Sequence, residues 1–166
     1  MAGDALDFES WYELEHPRLL ASLLLATGDL ELAREAVDEA CARTLARWSR
    51  VGRMDAPSGY AYRVAINVAH RRRRRAALEQ RLLARRPPPL PTVPGPAGEA
   101  WAVVRELPPR QRTAVVLRYV ADLTEAEIAR AMGISRSTVS STLADARRTL
   151  AVLLAEPDPE VADHHA

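Results

Sequence analysis

The chain has 166 residues, enough for one good hydrophobic core or two small ones, and its aromatics are few (5%) while Ala and Leu abound, which predicts an all-α protein. Its single cysteine, Cys41, excludes an internal disulfide and any Cys-based zinc site, and the longest strongly apolar run, 19–26, is too short to cross a bilayer, so no membrane insertion and a cytoplasmic location are expected. The formal net charge of +1 conceals a strong pattern: seven arginines face eleven acids in 1–70, eight face one in 71–98, eight face six in 99–155, and four acids stand alone in 156–166.

Phe8, Trp11 and Tyr12, then Leu19, Leu20, Leu23 and Leu24, recur at helical spacing along a first helix, or along one broken near Pro17. Gly28-Asp29 marks a turn. Val37, Ala40, Cys41, Thr44, Leu45 and Trp48 then repeat as one apolar face of a second helix, about 30–49. Its other face carries Glu31, Arg34, Glu35, Asp38 and Glu39, either a solvated surface or a docking one. A loop at 51–57 leads to a third helix capped by Asp55 or Ser58. That helix presents Tyr60, Tyr62, Arg63, Val64, Asn67 and Val68, then Arg71, Arg72, Arg73, Arg74 and Arg75. Five adjacent guanidinium groups repel one another, which favours contact with nucleic-acid phosphates over a merely solvated helix end.

Six prolines between Pro87 and Pro96 forbid a helix there. Residues 79–97 are expected to form a semi-rigid tether of at most roughly 65 Å, close to two turns of DNA at about 34 Å each, although a linker of arbitrary length reads equally from composition. Trp101 opens a second domain. Pro108-Pro109 can start a helix, with Ala114, Val115, Leu117, Tyr119 and Val120 as its apolar stripe. Thr124 and Glu127 then form a capping box, Gly133 ends that helix, Ile134 tucks under the turn and Ser135 caps the next. With Leu123, Ile128, Ile134, Val139, Leu143 and Leu150 facing inward, 123–150 reads as a helix-turn-helix, which places Arg136, Ser137, Ser140 and Ser141 where a recognition helix meets DNA. A three-helix unit that binds protein or nothing is the plainer reading. The tail 156–166 is acidic and expected to be disordered, and His164-His165 is weak as a metal site.

Taken together, the chain resembles a bacterial sigma factor of the extracytoplasmic-function group. The second half, LPPRQRTAVVLRYVADLTEAEIARAMGISRSTVSS, resembles that family's −35-binding domain; LLLATGDLELAREAVDEACARTLARW resembles the helix that docks on the polymerase clamp; and DAPSGYAYRVAINVAHRRRRR resembles the helix that opens and reads the −10 element. The resemblance implies two small helical domains, 1–78 and 98–155, joined by the linker 79–97 and followed by the tail 156–166. It implies core RNA polymerase, promoter DNA and an anti-sigma factor as partners, with no cofactor, no metal and no catalytic residue. On the same ground Glu35, Asp38 and Glu39 dock the polymerase. Tyr60, Arg63, Asn67 and Arg71, Arg72, Arg73, Arg74 and Arg75 serve −10 DNA, with Tyr62 as a second stacking ring and loop 51–57 as the wall of a base pocket. Arg136, Ser137, Ser140, Ser141, Arg147 and Arg148 serve −35 DNA. Many relatives carry Lys or Arg where this chain has Ser140, Thr142 and Asp145, so its recognition helix has lost charge available to phosphates. The rival readings are a stand-alone helix-turn-helix regulator and a degenerate polymerase-binding protein. An enzyme is disfavoured, because there is no Gly-rich phosphate loop and His16 and His70 have no evident triad partner.

Overall fold

The computed structural model describes residues 7–82 and 98–155, and every regular element among them is helical. The expected tail and all of the expected linker beyond residue 82 lie outside the described residues.

Helix α1 (Phe8–Thr27) begins where the Asp7 carboxylate accepts from the Ser10 N–H at 2.8 Å and ends at Gly28, whose φ of 69° suits a residue without Cβ. The helix continues unbroken through Pro17, which lies on the exposed side together with Glu13, so water can satisfy the carbonyl that proline leaves unbonded. Helix α2 (Leu30–Leu45) starts one residue after the turn, with the Asp29 side chain accepting from the Leu32 N–H at 3.0 Å. The expected second helix is in fact two. The backbone departs from helical geometry at Arg47 (φ −123°), and a short α3 (Trp48–Val51) follows. Leu45, expected on the apolar face, is 55% exposed; Val37, Ala40, Cys41 and Thr44 already complete the i, i+3, i+4, i+7 stripe. Burial pushes the Cys41 thiol up to about 11, with Asp38 adding to the shift, so it behaves as a small hydrophobe.

Helix α4 (Pro57–Leu82) is the longest element and runs four residues into the segment expected as linker. It packs on α2 through small side chains on both sides: Ala33, Ala36 and Ala40 from α2, and Ala61, Ala65 and Ala69 from α4, are all buried. Small residues let the two helix axes approach closely and leave room for Tyr62 and Ile66 to reach the core.

In the second domain α5 (Gly98–Glu106) leads to α6 (Pro109–Tyr119), which has proline in its first turn as expected. Its buried stripe is Thr113 to Leu117. Tyr119, expected there, is 61% exposed: the helix is buried all round over 113–117, and its last turn emerges from the core. Helix α7 (Glu125–Met132) carries both halves of the Thr124/Glu127 capping box, and Gly133 (φ 66°) closes it with the Ile134 N–H donating to the Ala129 carbonyl at 3.0 Å. Helix α8 (Arg136–Ala155) is capped by the Ser135 hydroxyl, which accepts from the Thr138 N–H at 3.1 Å.

The two domains expected at opposite ends of a tether are packed against each other. Leu25 and Ala26 at the end of α1 meet Val116 of α6, with Trp101 and Val120 alongside, and α7 lies on α4. This apolar seam between α1 and α6 joins a core that is continuous across both domains. Ala26→Glu buries a carboxylate there without a partner, and it is expected to raise the radius of gyration in small-angle scattering while leaving the helical circular dichroism unchanged.

Candidate nucleic-acid interface

At 100° per residue, Arg63, Asn67, His70, Arg71 and Arg74 fall along one side of α4 at i, i+4, i+7, i+8 and i+11. They line one wall of an open groove. The other wall is built by Arg43 at the end of α2 and by Arg47 and Arg50 around α3, with Tyr60 at the end and Met132 of α7 at the edge. Arg47 Nη1 donates to the Tyr60 hydroxyl at 2.7 Å, and Arg71 Nε donates to the Asn67 carbonyl at 3.3 Å. The Asn67 side-chain amide stays exposed beside that bond. Six guanidinium groups and no carboxylate line the groove. Partial desolvation, then the Arg73 and Arg74 charges, hold the His70 pKa below its ordinary value.

The structure gathers Tyr60, Arg63, Asn67, Arg71 and Arg74 but sends the other arginines of the run elsewhere. Arg72 reaches across to Glu35 of α2, Nη1 to Oε2 at 2.6 Å. Arg73 turns inward and donates to the Thr27 carbonyl at the C-terminal end of α1, where a positive charge complements the helix dipole. Arg75 pairs with Glu79 one turn on, at 2.9 Å. Tyr62 cannot serve as a stacking ring: it is 1% exposed, and its hydroxyl shares a 3.2 Å hydrogen bond with Ser22 inside the first domain.

A second groove lies between the domains. Loop residues Arg53, Met54 and Asp55, with Gly59, Tyr60 and Arg63, face Thr124, Glu127 and Arg130 of the second domain. The loop expected to wall a base pocket thus faces α7 across this groove, with Arg53, Met54 and Asp55 exposed, and Tyr60 and Arg63 border both grooves.

The acids expected to dock polymerase share the outer side of α2 but differ in freedom. Glu35 is engaged by Arg72, and Glu39 is held by Arg43 at 2.7 Å. The Asp38 carboxylate is 74% exposed, with His16 3.9 Å away. On α8, Arg136, Ser137, Ser140, Ser141, Arg147 and Arg148 are all exposed. Arg136 lies 3.7 Å from Glu125, Arg148 pairs with Asp145, and the Ser141 hydroxyl donates to the Thr138 carbonyl at 3.0 Å. Thr142 is buried and bonds the same carbonyl at 2.7 Å. Its position is thus not a lost phosphate contact, and the reduction in recognition-helix charge rests on Ser140 and Asp145 alone.

Sequence reasoning missed Arg43, Arg47 and Arg50. Their i, i+4, i+7 spacing was the available signal, a basic stripe running past the end of α2. Among the described residues no cluster of three or more His, Cys, Asp or Glu side chains could hold a metal ion.

Two family models match this chain: sigma-70 region 2 over residues 11–79 and sigma-70 region 4 over residues 98–150. The RNA polymerase sigma-E factor of Streptomyces coelicolor is 32% identical over 149 residues, covering 85% of this chain and 82% of that one. The protein of the same name from Streptomyces avermitilis is 30% identical over 170 residues, 99% of this chain and 92% of its own. A crystal structure of the sigma factor RpoE from Bartonella quintana, in complex with the anti-sigma factor NepR, superposes with a TM-score of 0.76 over 89% of this chain and 96% of that one at 19% identity, which shows a common fold.

Two measurements check the assignments inside the first domain. Tyr62→Phe leaves the buried Ser22 hydroxyl without its partner and is expected to cost about 1 kcal/mol in urea unfolding, with the Tyr62→Phe/Ser22→Ala pair losing less than the sum of the single changes. Because the His70 pKa is lowered on folding, its contribution to stability is complete above about 6.5 and is lost as pH falls through the lower native value. His70→Gln is therefore expected to flatten the acid side of the stability profile.

Proposed function

Because the chain belongs to the extracytoplasmic-function group of the sigma-70 family and is an alternative sigma factor that directs RNA polymerase to promoters, we propose a division of that work among its helices. The outer side of α2, led by Asp38, docks the core enzyme. The α4 wall with Tyr60, Arg63, Asn67, Arg71 and Arg74 opens and reads the −10 element, Asn67 offering both a donor and an acceptor to the edge of an unstacked base. The exposed start of α8, with Arg136, Ser137, Ser140 and Ser141, enters the major groove at −35, and Arg147 and Arg148 approach flanking phosphates.

The observation that carries this reading is the coincidence, on one side of α4, of an exposed amide, a tyrosine and arginines free of acids. The family is one of regulatory subunits, and on this reading the chain itself catalyses nothing, takes no cofactor and works in the cytoplasm beside the polymerase. No helix among the described residues is long and apolar enough to cross a membrane.

The packing of α7 over Gly59, Tyr60 and Arg63 supports one more element. In this arrangement the Gly59 end of α4 faces Thr124, Glu127 and Arg130 across a groove while Asn67, Arg71 and Arg74 stay exposed, so on this reading the domains part only as far as the spacing of the two promoter elements requires. The Bartonella quintana protein was crystallised with an anti-sigma factor, and a partner of that kind holding this chain closed fits the same geometry.

Purified core polymerase and a genomic template library test the reading together. Wild-type chain is expected to co-purify with the core and to give discrete transcription starts. Asp38→Arg should abolish co-purification, and it is the cleaner probe because Glu35→Arg would also set two arginines, 35 and 72, against each other. Arg71→Gln/Arg74→Gln should keep docking but lower promoter opening at least tenfold. A chain that ignores the core while binding its own operator is a stand-alone regulator, and one that docks without discrete starts is a degenerate polymerase-binding protein.

A further inference from the structure

The first turn of α4 lacks the cap expected for it. Ala56, the residue before it, has no side-chain oxygen; the Ser58 hydroxyl accepts instead from the Trp11 indole N–H at 3.2 Å; and Asp55 is exposed, with no hydrogen bond to that turn among the described residues. The N–H groups at a helix start carry the positive end of the helix dipole, so an anion placed there is stabilised. The anion comes from the other domain. The point where a Cβ would stand on Gly59, in this first turn, lies 3.6 Å from Glu127 Oε1 and 3.8 Å from Glu127 Cγ, and Cβ bonds tilt toward the N-terminal end of their helix.

Glu127 reaches α4 without giving up its place in α7. Both bonds that its side chain makes in the capping box use Oε2, which accepts from the Thr124 N–H at 2.8 Å and from the Thr124 hydroxyl at 2.7 Å. Oε1 is left over, and it is the oxygen beside Gly59. Arg53 and Arg63 of the first domain line the same groove, together with Asp55 of that domain and Arg130 of α7. Neither Arg53 nor Arg63 has a carboxylate within 4.0 Å among the described residues. The first domain therefore offers this carboxylate a helix start and two guanidinium groups, a positive field even with Asp55 counted.

We propose that Glu127 is an electrostatic latch between the domains: one oxygen closes the capping box that starts α7, and the other serves, by charge, the open start of α4. Parting the domains leaves the box intact and returns only Oε1 to water, so the latch can be released without unfolding either helix. The proposal rests on the reading in which the domains part on the promoter, and it names a contact that must let go.

The test is thiol accessibility at the seam of the free, full-length chain. Ala26, 3% exposed, is changed in an Ala26→Cys/Cys41→Ala chain, so that a disulfide reagent labels the new thiol only when the seam opens, at a rate proportional to the open population. Glu127→Gln keeps the capping box, in which Gln serves as Glu does, and removes the charge. It is expected to speed labelling about two- to fivefold, the ordinary effect of one charge at a helix start, with unchanged helical circular dichroism. Gly59→Asp puts an acid in the first turn of α4, which favours that helix by itself, but sets it against Oε1. It too should speed labelling, and combined with Glu127→Gln it should add little. The latch is refuted if Glu127→Gln labels at the rate of the parent chain, or if the two changes add as independent sites do. Core polymerase with promoter DNA is then added to the parent chain and should accelerate labelling. Unchanged labelling there would count against the parting of the domains rather than against the latch, which is read on the free chain.

Discussion

The close contact between α2 and α4 is the constraint on which the remaining architecture depends. Alanines on both helices bring the axes together, and the arginines on their outer sides are thereby carried to the two edges of one groove. Larger residues at Ala36, Ala40, Ala65 or Ala69 would push the helices apart at a cost of about 1–3 kcal/mol for overpacking, and they would also widen the groove. Stability and the shape of the binding surface are set by the same small side chains.

Helix α4 has a different neighbour on each side. One side carries Ala61, Tyr62, Ala65, Ile66 and Ala69 into the core of the first domain. Another receives α7, and a third carries Asn67 and the groove arginines. A helix turning 100° per residue distributes any consecutive run among such neighbours. The five arginines 71–75 are spread in this way: two line the groove, one reaches Glu35 of α2, one caps the carbonyl end of α1, and one forms an ordinary surface pair. The exposed pairs contribute little to stability, about 0–1 kcal/mol each. Their importance lies in direction, because they fix which guanidinium groups remain available to an anion.

The closed relation between the domains links packing to function. The seam of Leu25, Ala26, Val116, Trp101 and Val120 adds to a core that is continuous across both domains, and the capping box that starts α7 lies against Gly59. Such a contact holds the domains together until a partner binds them apart more strongly. The exposed surface of α8 is not consumed by it, and neither are Asn67, Arg71 and Arg74 of α4.

The helical composition, the capping box of Thr124 and Glu127, the stop at Gly133, the Ser135 cap and the resemblance to an extracytoplasmic-function sigma factor were all legible in the sequence, because each rests on local chemistry over a few residues. Local pattern reached less far for Pro17, which it left as a possible break, and for Leu45, Tyr119, Tyr62 and Thr142, whose exposure depends on which neighbour lies across from them. The fate of each arginine in the run, the pairing of Glu35 with Arg72, the gathering of Arg43, Arg47 and Arg50 beside α4 and the packing of α7 on α4 were decided only in three dimensions. Each of them joins residues far apart along the chain, and a one-dimensional pattern records what a side chain is but not what it will meet.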